Sequence, residues 1–544
     1  MIDTVKTKSV KVPASRSLSP LWIYGLLILI LLVTAAIRFR LRELPLERDE
    51  GEYAYAGQLM LQGIPPYQLA YNMKFPGTYA AYALLMALFG QTPTGIHLGL
   101  LIVNAGAILL VYFLTARLSD KRAGLIAAAL YAYLSLSAEV LGPVAHATHF
   151  VILPALGGLL LLLHGINRRS SLSLFASGVL LGFSVLMKQH GAFFILFAGS
   201  YLIYRNARPL KLRQLGVQAT MLALGIATPL ALTVLLLWKA GVLDKFWFWT
   251  IKYAREYATE YPGNLEVFKN LAGSTPHVLY PLAWAAVLGL VILWRKADRT
   301  VAIFSTGFFV CSVLTIFPNF NFRPHYYVLL LPAVAMLTGV LVISAREYLL
   351  RAQSRIPAAL PVALLLIFLA GRLFHERALF FQSSPAQACR LLYPRSAFPE
   401  SVQIAQYLKA HSPDNARIAV LGSEPQIYFY SQRHSATGYI YTYALMELQP
   451  YALQMQRELI SEIETTQPDY IVSVEDGDSW IVRQTSEPLI FNWSAKYLQT
   501  HYNKVGLLEI LPDGQSSLRW GDDIKTSRKV MDVYLNIFKR KDSN

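Results

Sequence analysis

The chain reads as a polytopic α-helical membrane protein ending in a C-terminal α/β or α+β domain outside the membrane, and three observations predict it. Of its 544 residues, 54% are hydrophobic and only 15% charged, with a mean hydropathy of +0.39. That balance suits helices facing lipid and excludes an ordinary soluble enzyme. Membrane-length apolar runs recur up to residue 371 and then stop, leaving roughly 170 residues of soluble composition, enough for a core of their own. Every second loop between the runs is basic, the alternation that positive-inside topology produces.

The runs fall at 21–37, 94–115, 123–138, 150–164, 172–187, 192–204, 217–238, 278–294, 301–317, 327–344 and 357–370. They make about eleven spans, several shorter than the roughly 20 residues that cross hydrocarbon, so polar flanks contribute or the bilayer thins. The stretch 78–89 is apolar but short, which suits a juxtamembrane helix. The basic loops hold Lys121 and Arg122, Arg168 and Arg169, the run from Arg205 to Arg213, Arg295 and Lys296, and the run from Arg346 to Arg355. The N-terminal tail joins them with Lys6, Lys8, Lys11 and Arg16, which places it inside. The expected organisation is a cytoplasmic tail (1–20), a transmembrane domain (21–371) whose first outer loop is 38–93, and an outer domain (372–544). No small-x-small site follows the first run, so an uncleaved anchor is expected.

The net charge of +16 is scattered through short loops, with no basic stripe for nucleic acid; membrane lipid is the partner it fits. Cys311 lies in an apolar run and Cys389 in the soluble part, a distribution that predicts neither a disulfide nor a metal site.

Chemistry is expected in the outer loops. Arg48-Asp49-Glu50-Gly51-Glu52-Tyr53 places three carboxylates within four residues just after the first run. Asp49 through Gly63 reads as a short amphipathic helix in which Asp49 and Glu52 form a capping box and Gly63 with Pro65 and Pro66 makes the stop. A carboxylate at a helix start is also presented as a general base must be, toward a substrate hydroxyl. Lys74, Lys188, Arg323 and His325 lie at outer ends, where positive-inside bias disfavours cations, and together they suit an anion at the membrane surface. Alone, each is an interfacial anchor. His146 and His149 share the second outer loop with Glu139 and can meet a substrate hydroxyl, but no H-x-x-x-H or H-E-x-x-H spacing occurs there, so no metal site is expected. Trp247-Phe248-Trp249 and the stretch Tyr253 to Tyr261 read as an interfacial aromatic belt, or as a sugar-stacking lid.

In the tail, 402–409 and 444–464 read as helices and 417–421, 469–474 and 505–511 as strands. Gly422-Ser423-Glu424-Pro425 follows the first strand as a strand-to-helix turn, without a phosphate loop or nucleophile elbow.

Several of these segments together resemble the dolichyl-phosphate-mannose protein mannosyltransferase-like family of integral-membrane (GT-C) glycosyltransferases, to which the bacterial aminoarabinose transferase is related. The resemblance rests on Asp49-Glu50, Lys74-Phe75-Pro76-Gly77, Lys188 after a span, Pro324-His325-Tyr326 entering a span, and Gly422-Ser423-Glu424-Pro425-Gln426-Ile427-Tyr428-Phe429. It implies inverting transfer of a sugar from a polyprenyl-phosphate carrier to a lipid, glycan or protein acceptor, on the outer face of a bacterial plasma membrane. Asp49 would be the general base and Glu50 its acceptor-orienting neighbour, with Glu52, Tyr53, His146 and His149 near the substrate. Lys74, Lys188, Arg323 and His325 would hold the carrier phosphate, and the need for a divalent metal is left open. Where the family has Lys-Pro-Pro this chain has Lys-Phe-Pro. A transporter or lipid flippase is the alternative, but those place charges mid-span and repeat their halves, and this sequence does neither.

Overall fold

Apolar helices form on all eleven runs. In this computed structural model, residues 20–207, 211–259, 263–511, 515–526 and 533–541 are described. The basic tail with Lys6, Lys8, Lys11 and Arg16, residues 208–210 of the Arg205 to Arg213 run, and Tyr261 lie outside them.

The helices are, in order, α1 (Pro20–Arg40), α2 (Arg48–Leu61), α3 (Pro76–Phe89), α4 (Pro93–Leu118), α5 (Lys121–Leu134), α6 (Ala147–Arg168), α7 (Ser171–Met187), α8 (Ala192–Ala207) and α9 (Leu212–Lys239). Then come α10 (Leu243–Trp247), α11 (Ala254–Thr259), α12 (Asn264–Ser274), α13 (Leu279–Lys296), α14 (Arg299–Leu314), α15 (Leu331–Arg351) and α16 (Leu360–His375). Among the described residues, six (α1, α4, α6, α9, α13 and α15) are long and apolar enough to cross a membrane. Helices α3, α7, α14 and α16 are apolar but shorter. Their starts follow from sequence: Thr92, Asp120 and Ser170 each accept a hydrogen bond from a first-turn N–H, which supplies partners the helix itself lacks.

The C-terminal part comprises α17 (Pro385–Leu392), α18 (Phe398–His411), β1 (Arg417–Leu421), α19 (Gln426–Ser431), β2 (His434–Ser435), α20 (Tyr443–Met446) and α21 (Ala452–Thr466). It continues through β3 (Tyr470–Glu475), α22 (Gly477–Trp480), α23 (Leu489–His501), β4 (Tyr502–Ile510), β5 (Ser516–Trp520) and β6 (Val533–Arg540). The sheet order is β2-β1-β3-β6-β4-β5. The β2-β1-β3 half is parallel and the rest antiparallel, so the sheet is mixed. The helix expected over 444–464 is two helices, because Pro450 stands between α20 and α21 and can neither donate its amide nor fit a helix interior. Both cysteines are buried and free.

One apolar core fills the helix bundle. A second joins Tyr53 and Tyr55 of α2 and Tyr79 and Met86 of α3 to Ile418, Val420, Tyr428 and Tyr470 of the C-terminal part. Helix α2 is therefore pressed between bundle and sheet. Its Gly51 shows how tightly: a Cβ there would lie 2.5 Å from the backbone nitrogen of Gln426 and 2.8 Å from its Cα. Backbone atoms cannot swing aside, so Gly51→Ala is expected to lower stability by about 1–3 kcal/mol. Gly25→Ala, which meets nothing within 4 Å, should leave the thermal midpoint almost unchanged and serves as the control.

Candidate active site

Helix α2 begins one frame earlier than its sequence suggests. Glu47 is the N-cap: its carboxylate accepts from the Glu50 N–H at 2.9 Å, and Glu50 accepts from the Glu47 N–H at 3.3 Å. The acidic run contains two x-x-Glu frames, Glu47/Glu50 and Asp49/Glu52, and burial selects the first. Glu50 is 1% exposed and also meets His97 Nε2 at 3.0 Å and the Ala145 N–H at 2.6 Å. It does not line the cavity beside Asp49. Released from capping, Asp49 faces that cavity.

The cavity holds about 420 Å³ between the end of α7, the segment before α15 and the C-terminal part. Asp49 Oδ1 accepts from Lys74 Nζ at 2.9 Å and from the Tyr441 hydroxyl at 3.2 Å. Its Oδ2 lies 3.7 Å from His146 Nδ1. Withdrawal from water raises the Asp49 pKa, but Lys74, His146 and His325 override it and hold the carboxyl well below the usual range. Asp49 is thus ionised. Glu47, also on the wall, is pushed up to about 7, chiefly by burial.

Lys74 is not an unpaired cation. It bridges Asp49 and Glu52, the latter at 2.7 Å, and lies 4.6 Å from the Tyr53 ring centre. Those carboxylates outweigh burial and keep it charged. Glu52 is fully buried, takes a second hydrogen bond from Tyr79 at 2.5 Å, and does not line the cavity, whereas Tyr53 does.

Lys188 differs. It follows the last residue of α7 in extended backbone, and its ammonium sits 4.2 Å from the Tyr326 ring centre. No hydrogen bond or ion pair reaches that ammonium among the described residues. Burial pulls its pKa down to about 7. Beside it His190, 8% exposed, has neither ring nitrogen hydrogen-bonded among the described residues. Arg323 stands exposed at the cavity wall. Next to it, Asn319, Phe320 and Phe322 all adopt positive φ, between 46° and 55°, an arrangement non-glycine residues hold only under constraint.

His325 stacks on His146 with ring centres 4.1 Å apart. Together with Asp49 they place three potential ligand atoms within 4.8 Å of one another. The spacing of the sequence predicts no metal site, and this grouping is invisible to it because the three residues come from separate segments. His146 Nδ1 is buried without a hydrogen-bond partner among the described residues, and two imidazoles with one carboxylate are a donor set that suits zinc. His149 is buried in α6 away from the cavity.

Other contributors escaped the sequence reading. Tyr393, Tyr441 and Tyr443 enter the cavity from the C-terminal part; the alternation Tyr439-Ile440-Tyr441-Thr442-Tyr443 was the available signal. Arg48 donates to Glu424 at 2.8 Å, to the Ser423 carbonyl at 2.6 Å and to the Tyr443 hydroxyl at 2.9 Å. The Gly422 to Pro425 turn is thereby fixed against the start of α2. In the aromatic stretch, Trp247 is exposed whereas Trp249 is buried between Tyr71 and Tyr439.

A family model described as dolichyl-phosphate-mannose-protein mannosyltransferase matches residues 74–238. That span includes Lys74, His146 and Lys188 but neither Asp49 nor His325. Among solved structures, the apo oligosaccharyltransferase of Archaeoglobus fulgidus superposes with a TM-score of 0.56 at 14% identity, over 93% of this chain and 75% of that one. The chain has a GT-C-like fold. ArnT from Cupriavidus metallidurans, bound to undecaprenyl phosphate, shares that fold with a TM-score of 0.53 at 17% identity, over 92% of this chain and 98% of that one. The Archaeoglobus fulgidus enzyme AglB in complex with an inhibitory peptide and a dolichol-phosphate gives 0.53 at 13%, over 92% and 74%. No curated protein sequence matches the chain. The GT-C fold resemblance and the multi-pass helical architecture expected from sequence are both met.

Proposed function

We propose that this GT-C protein is an inverting glycosyltransferase that moves a sugar from a polyprenyl-phosphate carrier to a hydroxyl of a lipid, glycan or protein acceptor. The observation carrying this reading is an ionised Asp49 sharing one cavity with the unpaired ammonium of Lys188. Attack at the anomeric carbon requires a base for the acceptor hydroxyl and a cation for the departing phosphate, whose charge grows as the bond breaks. Lys188 supplies the cation, with His190 beside it and Arg323 elsewhere on the wall of the same cavity. Lys74 has a different part. It holds Asp49 ionised but weakly basic, and a donor phosphate competing for Lys74 would leave Asp49 a stronger base once the donor is seated. Tyr441 aims the same carboxylate. Asp49, His146 and His325 are the residues that would hold a divalent cation, which when bound would acidify a coordinated hydroxyl.

The match of the fold to ArnT bound to undecaprenyl phosphate and AglB bound to a dolichol-phosphate supports the carrier class. The transporter or flippase alternative has no such support. The alternating basic loops favour a site on the outer face of a bacterial plasma membrane, and the division 1–20, 21–371 and 372–544 remains the organisation we propose.

The test is transfer by the purified chain from labelled polyprenyl-phosphate sugars to a membrane extract. A labelled, carrier-free product is expected, and release of free sugar with no acceptor product would sink the reading. Lys188 adds a pH signature. Its ammonium is charged below its folded value of about 7, and a bound phosphodiester favours the charged form. Donor affinity should therefore be full below pH 7 and fall as pH rises, by up to about tenfold per unit. Lys188→Arg should flatten the donor KM profile; an unchanged slope would place the titrating group elsewhere.

A further inference from the structure

The opposite end of the bundle contains a second cavity. It lies where the starts of α7 and α9 meet, holds about 530 Å³, and is lined by Arg169, Ser171, Lys211, Arg213, Gln214 and Gln218 among others. Helix α7 runs 17 residues from this cavity to Lys188, a distance of about 25 Å. The two cavities are thus separate.

Three features point to an anion. Arg169, Lys211 and Arg213 ring the space with no acidic residue in its wall, and none of the three is ion-paired among the described residues. Helix α9 is 28 residues long and its N-cap, Lys211, makes no side-chain cap, so the leading N–H groups and the positive end of the helix dipole lack a side-chain acceptor. Deeper in, Gln218 is 4% exposed; its Oε1 accepts from Asn206 at 2.9 Å, while its Nε2, like the Oδ1 of Asn206, has no partner among the described residues. A buried donor left in that state is disfavoured unless a ligand supplies the acceptor. The rim identifies the kind of anion. Leu172, Leu212 and Val217 are 77%, 68% and 49% exposed beside the cations, a surface suited to acyl chains next to a charged head.

We propose that this cavity binds the headgroup phosphate of an anionic phospholipid, its oxygens toward Gln218 and the first turn of α9 and its chains along Leu172, Leu212 and Val217. The lipid would fasten the base of a rigid pair. Added Cβ atoms on Gly178 and Gly225 would come within 2.2 Å of the Leu222 carbonyl and 2.1 Å of the Phe175 carbonyl, so α7 and α9 touch backbone to backbone. Fixing their starts also fixes the far end of α7, from which Lys188 projects.

The full-length protein is exchanged from nanodiscs of phosphatidylglycerol or phosphatidylcholine into detergent, and retained lipid is read by native mass spectrometry. Thermal midpoints are followed as each lipid or inorganic phosphate is added. Phosphatidylglycerol should be retained, phosphatidylcholine should not, and inorganic phosphate should stabilise far less than the anionic lipid. The combined R169Q, K211Q and R213Q variant should weaken retention on the order of a hundredfold, about fivefold per cation. Gln218→Leu keeps the net charge and should still weaken retention, by about tenfold. Arg117→Gln with Arg122→Gln, in the last turn of α4 and the first turn of α5, should change nothing. Full retention by Gln218→Leu, or equal loss in that control pair, would reduce the effect to diffuse attraction and overturn the site. Equal stabilisation by inorganic phosphate would overturn the lipid. If the triple variant does not fold, the Gln218→Leu comparison decides.

Discussion

Asp49→Asn is expected to cut transfer by 10²–10⁴-fold, the range a positioned general base contributes, while the chain still folds. The structure predicts both halves of that result. The cap of α2 is Glu47 paired with Glu50, so an amide at position 49 leaves the helix start intact. Lys74 retains Glu52 at 2.7 Å, so no buried ammonium is stranded. Removing one of its two anions also makes Lys74 more available to a donor phosphate. The loss should appear in kcat, with the donor KM unchanged or lower. A rise in KM at constant kcat would make Asp49 a binding residue, and turnover within threefold of wild type would move the search for the base to Glu47. The thermal midpoint supplies the folding control.

The second large effect is structural. Arg48 and Glu424 are 8% and 2% exposed, and the guanidinium spends its donors on Glu424, Ser423 and Tyr443. Arg48→Met leaves Glu424 buried and uncompensated, which costs about 3–5 kcal/mol. Because Tyr441 and Tyr443 come from the segment that this contact anchors, transfer should fall together with stability. Arg48→Met combined with Glu424→Met removes both charges but leaves Asp476, 3.8 Å from Arg48, without its cation. It should regain only part of the stability and little of the activity, since the hydrogen bonds from Arg48 to Ser423 and Tyr443 are still missing. Thermal midpoints across the double-mutant cycle measure the coupling. Additive losses would mean that the pair holds nothing together.

How much of this was legible in the sequence depends on the range of the forces involved. The eleven apolar runs were readable because solvation by lipid acts on each segment alone. The cations Lys188, Arg323 and His325 were readable for the same reason, as exceptions to a local charge rule. The start of α2 was misplaced because two acidic frames satisfy the same capping pattern, and only His97 and the Ala145 amide, packed from elsewhere, discriminate between them. The pairing of Lys74 with Asp49 and Glu52 was invisible in the same way. The grouping of Asp49, His146 and His325 draws on three distant segments, as does the approach of Tyr441 to Asp49. Pro450 was the opposite case, a local signal in plain view that divides α20 from α21.

The contact between Arg48 and Glu424 spans 376 positions of chain. At ribosomal rates of 5–20 residues per second, the arginine is synthesised on the order of 20 to 75 s before its partner exists. During that interval the nascent protein has Asp49 and Lys188 but lacks Tyr441 and Tyr443, which complete the wall of the cavity. A chain terminated early, or released before its last third is made, would leave Arg48 without Glu424 and Asp49 without Tyr441. The cavity is therefore complete only once translation has passed Tyr441 and Tyr443.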